Sequence, residues 1–219
     1  MTKTIVTFYP QGHQYIDNFG KVYISVTQLL KRKFPFNQEE ILEKIINNPR
    51  SSYYKRKRED ILDEWNLISQ LGTQLHGNCE NYVKTKQIED TIYQNCVKQF
   101  TKIVDGNVCT AEKLLWWEEL LIAGTADLLI ERDNCIEVWD IKTNNKMDDE
   151  KVLQYSMQLT FYQIFAKNFF NKEIKVGGII WFDNFFKNKE KTKMKVIKPI
   201  KCIDEVKQLL VERLKEIKK

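Results

Sequence analysis

Two rhythms of apolar and polar positions run along this chain. Near the N-terminus "TIVTFY", "HQYID" and "KVYISV" read as short strands, the last following an Asn-Phe-Gly turn at 18–20. Ser25 and Gln28 have the spacing of a capping box for a short helix through Leu29 and Leu30. Asn37 is placed to cap a second helix, "EEILEKII". The rhythm then turns helical. Ile61, Trp65, Ile68, Leu75, Cys79 and Tyr82 mark a long helix to about Val83, and Ile92, Cys96, Phe100 and Ile103 mark another. "NVCTAEKLLWWEE", "LLIAGTADLLIER" and "CIEVWDIKT" read as three consecutive strands, with Asp133-Asn134 turning the last hairpin. A helix over 149–170, strands "VGGIIWFD" and "KMKVIKPI", and an amphipathic helix with Ile203, Val206, Leu210, Leu214 and Ile217 complete the pattern. Helices, three strands, a helix and a strand predict an α/β fold.

At 219 residues the chain fits a single domain with a sizeable core. Residues 1–60 form an N-terminal extension of strands and helices, and 61–219 the main unit. Hydrophobic content of 42% and charged content of 30% match a soluble globular protein and exclude a disordered chain. The net charge of +5 permits an anionic partner without requiring one. No apolar run approaches the roughly 18 residues of a membrane span, and the N-terminus lacks the apolar stretch of a secretory signal. Five scattered cysteines, with no C-x-x-C pair, predict reduced thiols rather than a disulfide framework or a zinc site. An intracellular protein, not a secreted one, is expected.

The chemistry lies where charges interrupt apolar strands. Asp127 breaks one run; Asp140 and Lys142 break the next. A D/E-x-K triplet alone means little, because this lysine-rich chain also has it at Asp149/Lys151, Glu173/Lys175, Glu205/Lys207 and Glu216/Lys218. Those copies read as solvated surface. The copy at 140–142 ends an apolar strand, with Asp140 and Lys142 on one face and Ile141 on the other. Burying two such charges costs several kcal/mol each unless they pair or bind something. A structural ion pair is one reading. A metal site is the better one, because Asp127 adds a carboxylate 13 positions earlier on the preceding strand. Carboxylate oxygens suit magnesium or manganese, and a nearby ammonium steadies phosphate oxygens or helps to deprotonate a water. Upstream, His76 and Glu80 share a helix face, and Gly72 allows another backbone to come close. Gln158 and Tyr162 are likewise four apart. Glu112, on the strand before Asp127, reads as a supporting group beside the site or as an exposed strand residue.

In order, Gly72…His76…Glu80, Gly124-Thr-Ala-Asp127, Asp140-Ile-Lys142 and Gln158…Tyr162 resemble the RecB-like branch of the PD-(D/E)XK nuclease superfamily over about residues 70–182. Ala126 stands where the superfamily name has proline. The resemblance implies a restriction-endonuclease-like core: a mixed central β-sheet flanked by helices, here with an N-terminal β-hairpin and helical extension. It implies one or two Mg2+ or Mn2+ ions on His76, Asp127, Asp140 and the carbonyl of Ile141. Lys142 would orient or activate water, Glu80 would support or ligate, and Gln158 and Tyr162 would shape the site or touch DNA. The implied activity is DNA hydrolysis, foremost by an exonuclease on free single-stranded ends of phage, viral or mitochondrial type. It would serve replication, recombination or repair wherever in the cell DNA is handled, beside a replication or recombination protein. An RNA or structure-specific endonuclease and a non-catalytic DNA-binding module are the alternatives. Some branch members hold an iron–sulfur cluster on one early and three late cysteines. Only Cys202 lies late here, so no cluster is expected. The run Lys55, Arg56, Lys57, Arg58 beside Tyr53 and Tyr54 suits phosphate contact and base stacking, or a solvated loop. The lysines over 187–195 either line a DNA groove or solubilise a hairpin.

Overall fold

Eight strands make one mixed sheet in the computed structural model, which describes residues 3–183, 185–187 and 191–218. Strands β1 (Val6–Tyr9), β2 (Gln14–Asp17) and β3 (Val22–Ser25) form an antiparallel meander. Helices α1 (Val26–Leu30), α2 (Gln38–Asn47), α3 (Arg58–Thr85) and α4 (Gln94–Val104) follow. Then come β4 (Val108–Trp117), β5 (Ile122–Arg132) and β6 (Cys135–Lys142), helix α5 (Asp149–Ala166), strands β7 (Glu173–Asp183) and β8 (Lys193–Ile197), and helix α6 (Ile203–Ile217).

Local signals act where the sequence places them. Ser25 and Gln28 close the capping box on α1, Asn37 accepts from the Glu40 amide, and Asp148 accepts from the Lys151 amide at the start of α5. Two boundaries differ from expectation. Helix α3 starts at Arg58, so the basic run leads directly into it. Helix α5 stops at Ala166, where the Asn168 and Phe170 amides turn back to Phe165 and Ala166. The N-terminal strands are not an appendage: β3 pairs parallel with β5 through Ile24–Ile122 and Ser25–Ala123.

Two apolar cores flank the sheet. Helices α3 and α4 pack Leu75, Cys79, Val97 and Phe100 against Leu128, Ile130, Trp139, Ile141 and Phe182. On the other face α1, α5 and α6 pack Leu29, Met157, Phe161, Phe165 and Val206 against Ala126, Leu129, Val138 and Ile179. Fully burying one such side chain contributes about 1.5–3 kcal/mol, so the sheet is anchored from both sides. Among the described residues no helix is long and apolar enough to cross a membrane.

The pairing of β5 decides where a site forms. One edge is taken by β4 from Ile122 to Glu131. The other is shared: β3 holds Ile122 and Ala123, and β6 holds Leu128 to Arg132. Between them Gly124, Thr125, Ala126 and Asp127 have no strand beside them on that edge. The sheet opens there, at the C-terminal end of β6.

Candidate active site

A cleft of about 820 Å³ lies over this gap. Asp127 reaches into it from β5. Its Oδ2 accepts the Ile141 amide at 2.8 Å, doing with a side chain what a strand neighbour would do. The same oxygen lies 3.6 Å from Nδ1 of His76 on α3. Gly72, one turn earlier on α3, meets the Thr143 side chain rather than a backbone: a Cβ there would stand 2.9 Å from Thr143 Oγ1. Desolvation holds the His76 imidazole below its ordinary range, against the pull of Asp127. A neutral imidazole keeps a lone pair for a metal.

Asp140 and Lys142 lie on the α5 side. Lys142 Nζ is 2.8 Å from Asp140 Oδ1 and 2.7 Å from Oδ2, and it sits 4.8 Å from the centre of the Tyr155 ring. Asp140 is 1% exposed. Its Oδ2, though close to the ammonium, accepts no hydrogen bond. The tendencies of the pair pull against each other. Desolvation, then Asp127, push the Asp140 carboxyl upward, as though toward the neutral acid. Lys142 is pushed upward too, because Asp140 and Asp127 outweigh its own desolvation. The short contacts define an ammonium–carboxylate pair. Asp127 reconciles the two shifts, since a second carboxylate raises both groups. Lys142 is thus paired with Asp140, while the Asp127 carboxylate acts on both groups from further off.

Glu112 brings a further carboxyl to the site. The β4–β5 ladder keeps one register on both sides, Ala111 opposite Leu128 and Lys113 opposite Ala126, and is interrupted only where Glu112 faces Asp127. There Glu112 adopts φ +49°, left-handed backbone that costs a non-glycine residue on the order of 1 kcal/mol or more. It is not an ordinary exposed strand residue: its carboxylate comes within 4.8 Å of the ligand atoms of His76 and Asp127. Desolvation, then Asp127 and Glu80, push it to about 7.

These donors fit a hard divalent cation. One imidazole and several carboxylate oxygens converge, and the buried Asp140 Oδ2, paired with the Lys142 ammonium, accepts no hydrogen bond. The composition of the group differs from the expected one. His76, Asp127 and Glu112 cluster, whereas Asp140 lies outside that group, bonded to Lys142; Ile141 gives its amide to Asp127, and its backbone is also hydrogen-bonded to His76.

The remaining expected residues divide. Glu80 lines the cleft and pairs with Lys84. Gln158 and Tyr162 also line it, with Gln158 Nε2 donating to Tyr162 Oη at 3.4 Å. Tyr162 packs on Gly124, where a Cβ would fall 2.7 Å from its ring. The basic run is not part of this lining. Arg56 stacks 5.1 Å from the centre of the Tyr53 ring and pairs with Glu64 at 2.8 Å, Arg58 pairs with Glu39, and Lys55 lies over Tyr54. Glu39 of α2 and Glu64 of α3 thus pair with two of these cations. Lys195 pairs with Asp183 at 2.6 Å; Lys189 lies outside the described residues. Of the other D/E-x-K copies, Glu173/Lys175 is a surface ion pair. Tyr155 was absent from the expected set. Its spacing of three from Gln158 and seven from Tyr162 puts it on their helix face, a signal present in the sequence.

A helix-flanked mixed sheet that opens beside Asp127, with a D-x-K strand end next to it, defines a class of hydrolase. The family model for the PD-(D/E)XK nuclease superfamily matches residues 40–219, and the chain belongs to that superfamily. Its members are metal-dependent nucleases. No curated protein matches the sequence. A solved structure titled "Crystal structure of SSO0001" aligns at 16% identity and a TM-score of 0.35, covering 87% of this chain and 83% of that one.

Proposed function

We propose that the chain is a RecB-like exonuclease that hydrolyses DNA from free, single-stranded ends in replication, recombination or repair. The observation that supports a nuclease here is the convergence of His76, Asp127 and Glu112 at the open edge of β5, beside the Lys142 ammonium. His76, Asp127 and Glu112 would hold Mg2+ or Mn2+, and Asp140, paired with Lys142, would join them. Such an ion, when bound, polarises a phosphoryl oxygen and makes water a nucleophile near neutral pH. Lys142, paired with Asp140 and pushed upward by the carboxylates beside it, would serve as a donor and a positive charge. Tyr155 and Asp140 fix its direction. Aimed at oxygens that gain charge in the transition state, it lowers the barrier more than it strengthens binding. Glu80, Gln158 and Tyr162 shape the wall beside the strand.

Digestion of end-labelled single- and double-stranded DNA, with 5′ and 3′ labels separately and RNA alongside, tests the reading. Stepwise shortening of single-stranded DNA with Mg2+ or Mn2+, and none in chelator, is expected. Internal cuts would move the protein to the endonucleases, preferential RNA cleavage would change its substrate, and full activity in excess chelator would end the metal reading.

A further inference from the structure

The metal group occupies only one end of the cleft. The other end is built by the N-terminal meander, which carries Phe8, His13 and Tyr15 into the same cavity as His76 and Asp127. The three rings touch. Phe8 and Tyr15 lie with centres 4.8 Å apart and planes 33° apart, and His13 stands edge-on to both, at 81° and 83°. The result is a corner, with the Phe8–Tyr15 pair as one wall and the imidazole as the other.

Packing accounts for part of the corner: Tyr15 lies in an apolar cluster with Val6, Tyr23 and Ala123, and Phe8 and Leu114 pack against it. Tyr15 is buried, but Phe8 is half-buried and His13 exposed. His13 is held at φ +50° after Gly12 at φ +93°, in the turn that its amide closes onto the Pro10 carbonyl, so the turn fixes where the ring stands. Its position relative to the metal group is fixed. Tyr15 Oη lies 3.4 Å from Thr125 Oγ1, and Thr125 is two positions, about 7 Å, before Asp127 on β5. Beside it Leu114, two positions after Glu112 on β4, lines the floor between the two ends.

We infer that this corner is a stacking subsite for an unpaired nucleobase, one that belongs to a nucleotide close to the scissile phosphate. The inference rests on the nuclease reading of the same cleft. An aromatic face beside a phosphate-binding centre takes any base, because every base has a π-face, but only a base free of its partner strand enters a corner of this shape. The subsite thus gives a physical basis for preferring single strands or frayed ends, with no base-specific hydrogen bond. Each stacked base is worth roughly 5- to 150-fold in affinity.

The test uses the full chain and two substrates that differ only in carrying a base or an abasic residue beside the cut. The variants are His13→Asn, since asparagine tolerates the left-handed backbone, and Phe8→Leu, which keeps apolar bulk without a π-face. Wild type should cut the base-containing strand at least about tenfold faster, at subsaturating concentration, than the abasic one. Both variants should bring that ratio towards one. Binding is followed independently, with magnesium, through 2-aminopurine in a strand whose bridging oxygens are replaced by methylene groups. Wild type should quench the fluorophore and the variants should quench it less. A wild-type ratio near one, or quenching equal in all three proteins, overturns the subsite even if DNA is cut normally. No cleavage of any strand, with quenching intact and sensitive to both variants, would instead overturn the nuclease reading and leave the stacking corner standing.

Discussion

Glu112 concentrates the electrostatic problem of the site in one side chain. Its carboxyl titrates at about 7 instead of the ordinary 4.5, chiefly through desolvation. The folded chain therefore retains a proton that the unfolded chain loses near pH 4.5. By linkage, the stability associated with that proton is complete below about 4.5 and is lost as pH rises through about 7. Glu112 opens to the cleft, so solvent screens part of the effect. Asp140, also pushed upward, adds a decline of the same sign. In chelator, Glu112→Gln should flatten but not abolish the fall in Tm between about pH 5 and 7.5. In manganese the order should reverse, the variant gaining less from the ion than wild type. Thermal melts across pH, with and without metal, check both; a wild-type slope in Glu112→Gln would assign the decline elsewhere. Lys142 separates chemistry from binding. Lys142→Ala should lower the single-turnover rate by roughly 10²–10³, the scale of one lost oxyanion donor, and high manganese should not restore it. Normal cleavage with lost DNA affinity would make Lys142 a phosphate holder instead.

At the scale of elements, the site exists because β3 and β6 leave four residues of β5 without a neighbour on one edge. Tyr162 of α5 fills the space above Gly124, and a methyl group there would overlap its ring at 2.7 Å. Gly124→Ala should cost about 1–3 kcal/mol by overpacking. In a double-mutant cycle with Tyr162→Leu, much of that cost should disappear. Additive losses of Tm would place the strain in the strand backbone rather than against Tyr162. This gap was only partly legible in the sequence. The alternation of β4 to β6, the Asp133-Asn134 turn and the caps at Ser25 and Asn37 depend on neighbours a few residues away, so the local pattern revealed them. The i,i+4 spacings of His76 with Glu80 and Gln158 with Tyr162 marked helix faces that do meet in one cleft. The docking of β3 on β5 joins residues about a hundred positions apart, and no local rhythm records it. The left-handed turn of Glu112 is imposed by its placement opposite Asp127, and a glutamate in a strand gives no sign of it. The ion pairs within the basic run were not legible for a similar reason: Glu64 and Glu39, the partners of Arg56 and Arg58, belong to other turns of the chain.

Across the whole molecule, charge is distributed against the expected ligand. The chain carries a net charge of +5, yet the cleft gathers Glu80, Glu112 and Asp127, with Asp140 behind them, beside the half-buried Lys142. Without metal, a phosphodiester entering there meets excess negative charge at short range, where screening is weakest. Divalent cations reverse that field, being the largest local charges in such a site. Metal should therefore act on binding as well as on the chemical step. A strand with methylene in place of its bridging oxygens cannot be cut, so its affinity isolates this effect. At matched ionic strength, its affinity should rise when chelator is replaced by magnesium. The rise should shrink in Asp127→Asn, which removes a carboxylate common to the His76–Glu112 group and to the Lys142 pair. The salt dependence set by lysines outside the cleft should remain, because each phosphate contact contributes its own increment to the slope. Equal affinity in magnesium and in chelator would mean that the strand is held wholly by the outer surface. The carboxylates would then act on the metal alone, and the cleft would take the phosphate only after the strand had bound elsewhere.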